Sequence, residues 1–182
     1  MKNLLLVLAC ATIAFVSLSF CNANKSSTNA AHTGIKWMTW EQVAEAQKTK
    51  PKKIFVDVYT GWCGWCKKMD ATTFENPVII EQLNKDFYAI KFDAESKASI
   101  NFNGKTYENK GRYHDIATEY MGNQLGFPTS LYLDEKNQLL TPPIASYLEA
   151  KQLEEILAYF SGNFHQKLPY DEFLKTFKGK AK

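Results

Sequence analysis

The chain contains few cysteines and few histidines. Its 182 residues include four cysteines, of which only Cys63 and Cys66 lie beyond residue 21. A domain held together by structural disulfides carries more cysteines at wider spacing, and a disulfide across so short a loop adds little stability. A zinc site normally needs four ligands, and no further cysteine lies near any of the three histidines, His32, His114 and His165. The composition therefore disfavours both a disulfide scaffold and a metal site.

Strong charge bias and a phosphate-binding glycine loop are also missing. The 22 basic and 19 acidic residues leave a formal net charge of +3, so composition gives no reason to expect nucleic acid as a partner. No internal repeat is visible. The basic end of the chain, with Lys175, Lys178, Lys180 and Lys182, is predicted to be a solvated tail.

The first 23 residues have the pattern of an export signal. Lys2 is the only charge before Lys25, residues 4–20 are almost all apolar, and a small-x-small site at 21–23 permits cleavage after Ala23. An uncleaved membrane anchor and lipid attachment at Cys21 are the alternatives. In all three cases the body of the protein would lie in the periplasm or cell envelope. The predicted divisions are 1–23 signal or anchor, 24–36 flexible tether, 37–162 folded domain and 163–182 C-terminal extension with a short helix.

After the tether, helical and strand patterns alternate. Thr39 and Gln42 form a capping-box pattern, Asn76-Pro77 is a helix-start pattern, and Asn103-Gly104 is typical of a hairpin turn. The predicted helices are 39–48, 63–74, 76–85, 112–121, 148–160 and 170–177, and the predicted strands are 53–59, 87–93, 129–133 and 139–144, with the hairpin at 99–109. This order predicts an α/β fold with a mixed central sheet covered by helices on both faces.

The two late cysteines stand at the end of a predicted buried strand and the start of a helix, in Trp62-Cys63-Gly64-Trp65-Cys66-Lys67. A helix N-terminus offers unpaired N–H groups and positive dipole, which lower the pKa of the first thiol. A thiolate is the species that attacks a disulfide. The spacing therefore predicts thiol–disulfide chemistry.

Together with Phe55-Val56-Asp57 before it and Gly126-Phe127-Pro128-Thr129 before a later strand, this motif resembles the thioredoxin family over about residues 37–160. The resemblance implies a thioredoxin-like fold with a hairpin-plus-helix insertion, 94–125, before the strand that follows a cis-proline. Trp65 between the cysteines and the Lys-Lys-Met run after them resemble exported bacterial proteins, including the periplasmic domains of Dsb-type interchange proteins.

The resemblance also implies the roles of the reacting residues. Cys63 matches the attacking cysteine and Cys66 the resolving one. Asp57 matches a buried acid that takes the proton of Cys66 if burial raises its pKa; the alternative is an ordinary strand-end aspartate. Lys91 is a candidate partner for this acid. The redox-active disulfide would serve as the reaction centre, and no cofactor or metal is expected.

Substrate contacts are expected around the cysteine pair. Pro128 matches the cis-proline that leaves the backbone of Phe127 open for pairing with an extended substrate. Trp62, Gly64 and Trp65 are candidates for the same surface. We expect Trp65 to be exposed, while for Trp62 packing against the sheet and substrate contact are both open. The insertion could shape a substrate groove or cover the sheet edge.

The sequence therefore predicts an exported thiol–disulfide oxidoreductase that reduces or isomerises protein disulfides. The pair Gly64-Trp65 lacks the histidine of strongly oxidising relatives, which favours a reductant. Expected partners are disulfide-containing exported proteins and a membrane electron relay, with a membrane tether through the N-terminus as a further option. The alternatives are a thiol oxidant, a non-enzymatic thioredoxin-like chaperone or assembly factor, and metal or haem binding, although Lys67 stands where haem attachment requires histidine.

Overall fold

A computed structural model describes residues 34–122 and 125–182. The predicted signal segment 1–23 and most of the predicted tether 24–36 lie outside the described residues. In the part of the chain that is described, no helix is long and apolar enough to cross a membrane.

Six strands and six helices make up the described fold. The strands are β1 (Trp37–Met38), β2 (Lys53–Tyr59), β3 (Phe87–Asp93), β4 (Ile100–Phe102), β5 (Lys105–Tyr107) and β6 (Thr129–Leu133). The helices are α1 (Trp40–Thr49), α2 (Gly64–Ala71), α3 (Pro77–Asp86), α4 (Asp115–Met121), α5 (Ala150–Ser161) and α6 (Tyr170–Thr176), with short 3₁₀ turns at Thr73–Glu75 and Phe164–Gln166.

The central sheet has the strand order β1-β3-β2-β6. Strand β2 runs parallel to β3 and antiparallel to β6, so that Val56 pairs with Ile90 on one side and Leu131 on the other. The predicted mixed sheet is therefore confirmed. Strand β1, parallel to β3, was not predicted, because two residues are too few to show an alternating pattern.

Side chains that alternate along the strands fill two separate cores, one on each face of the sheet. Val56 and Ile90 belong to the first core, together with residues of α1, α4 and the β4–β5 hairpin. Phe55 and Tyr132 belong to the second, with residues of α2, α3 and α5. Both faces are thus covered by helices, as the element order predicts.

Local signals in the sequence account for several helix starts. Thr39 Oγ1 accepts the N–H of Gln42 and the Gln42 side chain accepts the N–H of Thr39, which completes the capping box of α1. Asn76 caps α3 by accepting the N–H of Val78 at 3.0 Å, with Pro77 in the first turn. These predictions are confirmed.

Three predicted elements need correction. The helix expected at 63–74 ends at Ala71 and is followed by a separate 3₁₀ turn at Thr73–Glu75. The strand expected at 139–144 is wrong: the segment lies beside β6 but forms only two isolated bridges, Leu139 with Leu133 and Ile144 with Ser130. Two consecutive prolines, 142 and 143, lack the N–H groups that a continuous ladder needs. The helix expected at 112–121 begins later, at Asp115.

The insertion packs against the first core as predicted in outline, with a hairpin followed by a helix. Asn103 and Gly104 both have positive φ, 54° and 73°, which suits a tight two-residue turn. Ile100, Phe102 and Tyr107 are buried against α1 and the sheet. The insertion therefore covers a face of the sheet.

The C-terminal extension is attached to α5 more firmly than predicted. Phe173 of α6 is buried, and the carboxylate of Glu154 on α5 accepts the N–H groups of Lys180 and Ala181, each at 2.8 Å. A Cβ at Gly179 would lie 2.6 Å from Glu154 Oε2, so a larger residue there would require the Glu154 carboxylate to shift from its present position. The four lysines of the tail are exposed, as expected of a solvated end, but the hydrogen bonds of its backbone to Glu154 were not predicted.

Replacing Glu154 with alanine should weaken the fold, because the tail N–H groups lose a charged acceptor. We expect the free energy of unfolding to fall by about 1–3 kcal/mol, measured by urea denaturation. Glu172→Ala, which removes an exposed carboxylate paired with Lys175, serves as the control and should cost about 0.5 kcal/mol or less. Equal losses in the two variants would contradict this interpretation.

Candidate active site

The cysteine pair lies in the turn between β2 and α2. The N–H of Cys63 donates to Thr60 O at 3.1 Å, which closes the turn, and Cys63 is the N-cap residue of α2. The N–H of Cys66 donates to Cys63 Sγ at 3.0 Å. The two cysteines form a disulfide and are 4% and 2% exposed, respectively. The sulfur of Cys63 thus occupies the position where a helix N-terminus stabilises negative charge.

Asp57 lies in the middle of β2 and is 1% exposed. Its partner in the parallel register on β3 is Lys91, whose Nζ donates to Asp57 Oδ2 at 2.7 Å. Lys91 also donates to Asp70 on α2, while Asp57 Oδ1 has no hydrogen-bond partner among the described residues. The lysine proposed from sequence as the partner of the buried acid is therefore in direct contact with it.

The environment makes Asp57 easier to protonate than an ordinary aspartate. Burial raises the pKa of Asp57, and the charge and hydrogen bond of Lys91 offset only part of that rise. Burial alone would lower the pKa of Lys91, but Asp57 and Asp70 outweigh it and hold this pKa above its usual value. The two carboxylates therefore hold the lysine in its charged form.

The segment before β6 contains the cis peptide bond expected from sequence, between Phe127 and Pro128. Thr129 Oγ1 donates to Gly126 O at 2.7 Å and secures the turn. The ring of Phe127 packs edge-on against Trp62, with 5.9 Å between centroids. Within the described residues the N–H and C=O of Phe127 make no backbone hydrogen bond, so they are free to pair with another strand.

Both tryptophans beside the cysteines are exposed, Trp62 at 58% and Trp65 at 57%. This confirms the expectation of exposure for Trp65 and shows that Trp62 is not buried against the sheet; substrate contact by Trp62 stays a prediction. Trp62 Nε1 donates to Glu95 at 3.1 Å, and the Trp65 ring packs on Tyr147 at 5.4 Å. Apart from its chain neighbours and the backbone of α2, no atom lies within 4 Å of a Cβ placed on Gly64, so the space beside Gly64 is open.

Four residues of this surface were missed by the sequence analysis: Glu95, Arg112, Tyr113 and Tyr147. Arg112 lies over the rings of Trp62 and Tyr113, 5.9 and 5.0 Å from their centroids, and Tyr113 packs on Phe127 at 5.5 Å. These residues are distant in sequence from the cysteine motif. No motif or periodicity marks them.

No group of three or more histidine, cysteine or acidic side chains that could hold a metal ion occurs in residues 34–122 and 125–182. His114 is buried, with one ring nitrogen 2.9 Å from Ala98 O and the other accepting the N–H of Ile116. His165 packs against Tyr159 and Phe160, and burial lowers its pKa. His32 lies outside the described residues.

Comparison with known proteins places this geometry in a family. A family model described as "Thioredox_DsbH: Protein of unknown function, DUF255" matches residues 22–167. The chain belongs to this family. Among solved structures it is similar to a thioredoxin-fold protein from Helicobacter pylori, with a TM-score of 0.54, 14% identity and coverage of 69% of this chain and 78% of that one.

The chain is also similar to two proteins named for disulfide chemistry. A structure titled "DsbH Oxidoreductase" has a TM-score of 0.53 at 17% identity, covering 85% of this chain and 94% of that one. The thiol:disulfide interchange protein DsbD of Actinobacillus pleuropneumoniae serotype 5b (strain L20) is 25% identical over 154 residues, which is 82% of this chain and 24% of that protein. The chain spans less than a quarter of the length of the curated relatives it matches.

The thioredoxin-like fold predicted from sequence is therefore confirmed. Fold, family and the Cys63–Cys66 disulfide together support thiol–disulfide exchange as the chemistry of this site.

Asp57 should make the stability of the oxidised protein depend on pH. Its pKa is 3.8 in an ordinary setting and is raised in the fold, so between those two values the folded state binds more protons than the unfolded state. The free energy of unfolding should therefore fall as pH rises through this window. The total fall is about 1.4 kcal/mol for each tenfold difference in the proton affinity of Asp57 between the folded and unfolded states.

Urea denaturation between pH 4 and 8 measures this slope, and Asp57→Asn should flatten it. Asp171→Asn, which changes an exposed aspartate in the first turn of α6, is the control and should keep the wild-type slope. An unchanged slope in Asp57→Asn would show that another group is responsible.

Proposed function

We propose that the protein is an exported thiol–disulfide oxidoreductase that reduces or isomerises protein disulfides through Cys63 and Cys66. The observation that carries this proposal is the disulfide at the start of α2, in which the N–H of Cys66 bonds to Cys63 Sγ. In the reduced protein the same N–H and the helix dipole would stabilise a Cys63 thiolate.

Reduction begins from the dithiol form. The Cys63 thiolate attacks one sulfur of a substrate disulfide, forming a mixed disulfide while the other substrate sulfur leaves as a thiolate and takes a proton from solvent. Cys66 then loses its proton and attacks Cys63 Sγ, which releases the second substrate thiolate. The substrate gains two electrons, and the protein is left with the Cys63–Cys66 disulfide.

Asp57 is the proposed acceptor of the Cys66 proton. Burial raises its pKa, which brings the carboxylate closer to the range in which a general base is effective. Lys91 holds one carboxylate oxygen, and the other has no partner among the described residues. A carboxylate oxygen without a hydrogen bond is available to receive a proton.

The substrate is proposed to bind as an extended segment beside the cis-proline loop. The free N–H and C=O of Phe127 would pair with its backbone, and Pro128 leaves that edge open. Trp62, Trp65 and Gly64 form the apolar surface around it. Large exposed aromatic side chains of this kind are common in interaction sites.

Export is proposed from the signal pattern of residues 1–23, with lipid attachment or an N-terminal anchor as alternatives. Each round of reduction leaves the protein oxidised, so a second partner must return two electrons to the pair. Outside the cytoplasm this requires an electron relay across the membrane. The similarity to the interchange protein DsbD supports partners that exchange disulfides.

Insulin reduction tests the proposed activity. The wild-type protein with dithiothreitol should accelerate precipitation of the insulin B chain. Cys63→Ser should lower the rate to that of dithiothreitol alone, because no attacking thiolate is left. Equal rates for the two proteins would instead favour a non-enzymatic chaperone or assembly factor.

Cys66→Ser complements this assay. The attack by Cys63 proceeds, but the mixed disulfide cannot be resolved, so substrates should remain covalently bound. Non-reducing electrophoresis detects these adducts, and Cys63→Ser provides the matched control without adducts.

The reduction potential distinguishes a reductant from an oxidant. Such folds span roughly −270 to −120 mV, and we expect a value nearer the reducing end because no histidine stabilises the thiolate between the cysteines. Trp65→His should raise the potential by about 30 mV or more, equivalent to about 1.4 kcal/mol. Glutathione titration measures both values, and a wild-type potential near the oxidising end would overturn the assignment as a reductant.

A further inference from the structure

Cationic side chains stand over the exposed aromatic rings on both sides of the disulfide. Lys68 Nζ lies 4.8 Å from the ring centroid of Trp65 and 5.1 Å from that of Tyr147. On the other side, the guanidinium of Arg112 lies over Trp62. Because Trp62 and Trp65 flank Cys63 in the sequence, both cations border the surface that a substrate would touch.

Carboxylates balance these charges only in part. The side chain of Arg112 is 69% exposed, and its one carboxylate partner among the described residues, Glu95, comes no closer than 3.9 Å to its Nε. Lys68 and the neighbouring exposed Lys67 form no salt bridge with any described carboxylate. The border of the site therefore carries excess positive charge.

The insertion holds one side of this border in place. Glu95, near its start, accepts the indole N–H of Trp62 at 3.1 Å, and Tyr113 packs on Phe127. Arg112 lies next to Tyr113 and over its ring. The insertion thus contributes directly to the surface around the cysteines, in addition to covering the sheet.

We propose that Lys68 and Arg112, here called the cationic rim, select disulfide-containing segments with acidic side chains next to the reacting cysteine. This inference rests on the proposed function and adds its substrate class. Opposite charges across an interface favour encounter and the correct partner. Like charges on a basic segment would oppose binding at the same two positions.

Single-turnover reduction of three synthetic peptides tests the proposal. The peptides contain the same intramolecular disulfide ring and differ only in the residues flanking the cysteines, which are glutamate, glutamine or lysine. The pre-reduced protein passes two electrons to the peptide disulfide, and acid quenching followed by chromatography gives the second-order rate constant. We expect the glutamate peptide to react fastest and the lysine peptide slowest, with the difference shrinking at high salt.

The charges that flank the cysteines also change the reactivity of the peptide's own disulfide. Variants of the protein separate this effect from that of the cationic rim. The glutamate-to-glutamine rate ratio should fall by about two- to five-fold in each of Lys68→Gln and Arg112→Gln, and further in the double variant. Lys48→Gln, an exposed lysine on α1 that pairs with Glu45, is the control and should keep the wild-type ratio. A merely structural role of Arg112 would slow all three peptides alike and leave the ratio unchanged.

An unchanged glutamate-to-glutamine rate ratio in the double variant would overturn the proposed charge preference but leave the proposed function standing. Failure of the reduced protein to react with any of the three peptides would contradict the proposed function itself.

Discussion

Strand β2 is buried on both faces and hydrogen-bonded along both edges, and this constraint fixes the rest of the structure. Its side chains contribute to both cores, while β3 and β6 pair with it over most of its length. A strand held in this way cannot slip by one residue without exchanging its two faces. Since the cysteine turn follows directly from its end, the position of Cys63 at the start of α2 is set by the most confined part of the fold.

The same strand accommodates a charged group at a cost. Burying Asp57 with Lys91 removes charge from water, which costs free energy. The attraction between the two groups offsets only part of this cost, so burial has the largest effect on the pKa of Asp57. An apolar residue at this position would suit the core better. The proposed transfer of the Cys66 proton to Asp57 would account for a carboxylate at this position, which stability alone does not.

Much of this arrangement can be predicted from the sequence, because it depends on patterns formed by residues close together in the chain. The capping box at Thr39, the Asn76-Pro77 helix start and the Asn103-Gly104 turn each act over a few residues. The strand predicted at 139–144 is wrong, because its two prolines lack the N–H groups of a continuous ladder. Arg112 and Tyr147 were invisible as site residues, since only tertiary packing brings them to Trp62 and Trp65.

The insertion combines a deep attachment with an exposed edge. Ile100, Phe102 and Tyr107 are part of the first core, so the hairpin is integral to the domain, whereas Arg112 projects into solvent beside the cysteines. If this surface recognises substrates as proposed, substitutions in the exposed part of the segment would change which proteins are recognised and leave the cysteine pair unchanged. Partner choice and electron transfer would then be free to evolve separately within one domain.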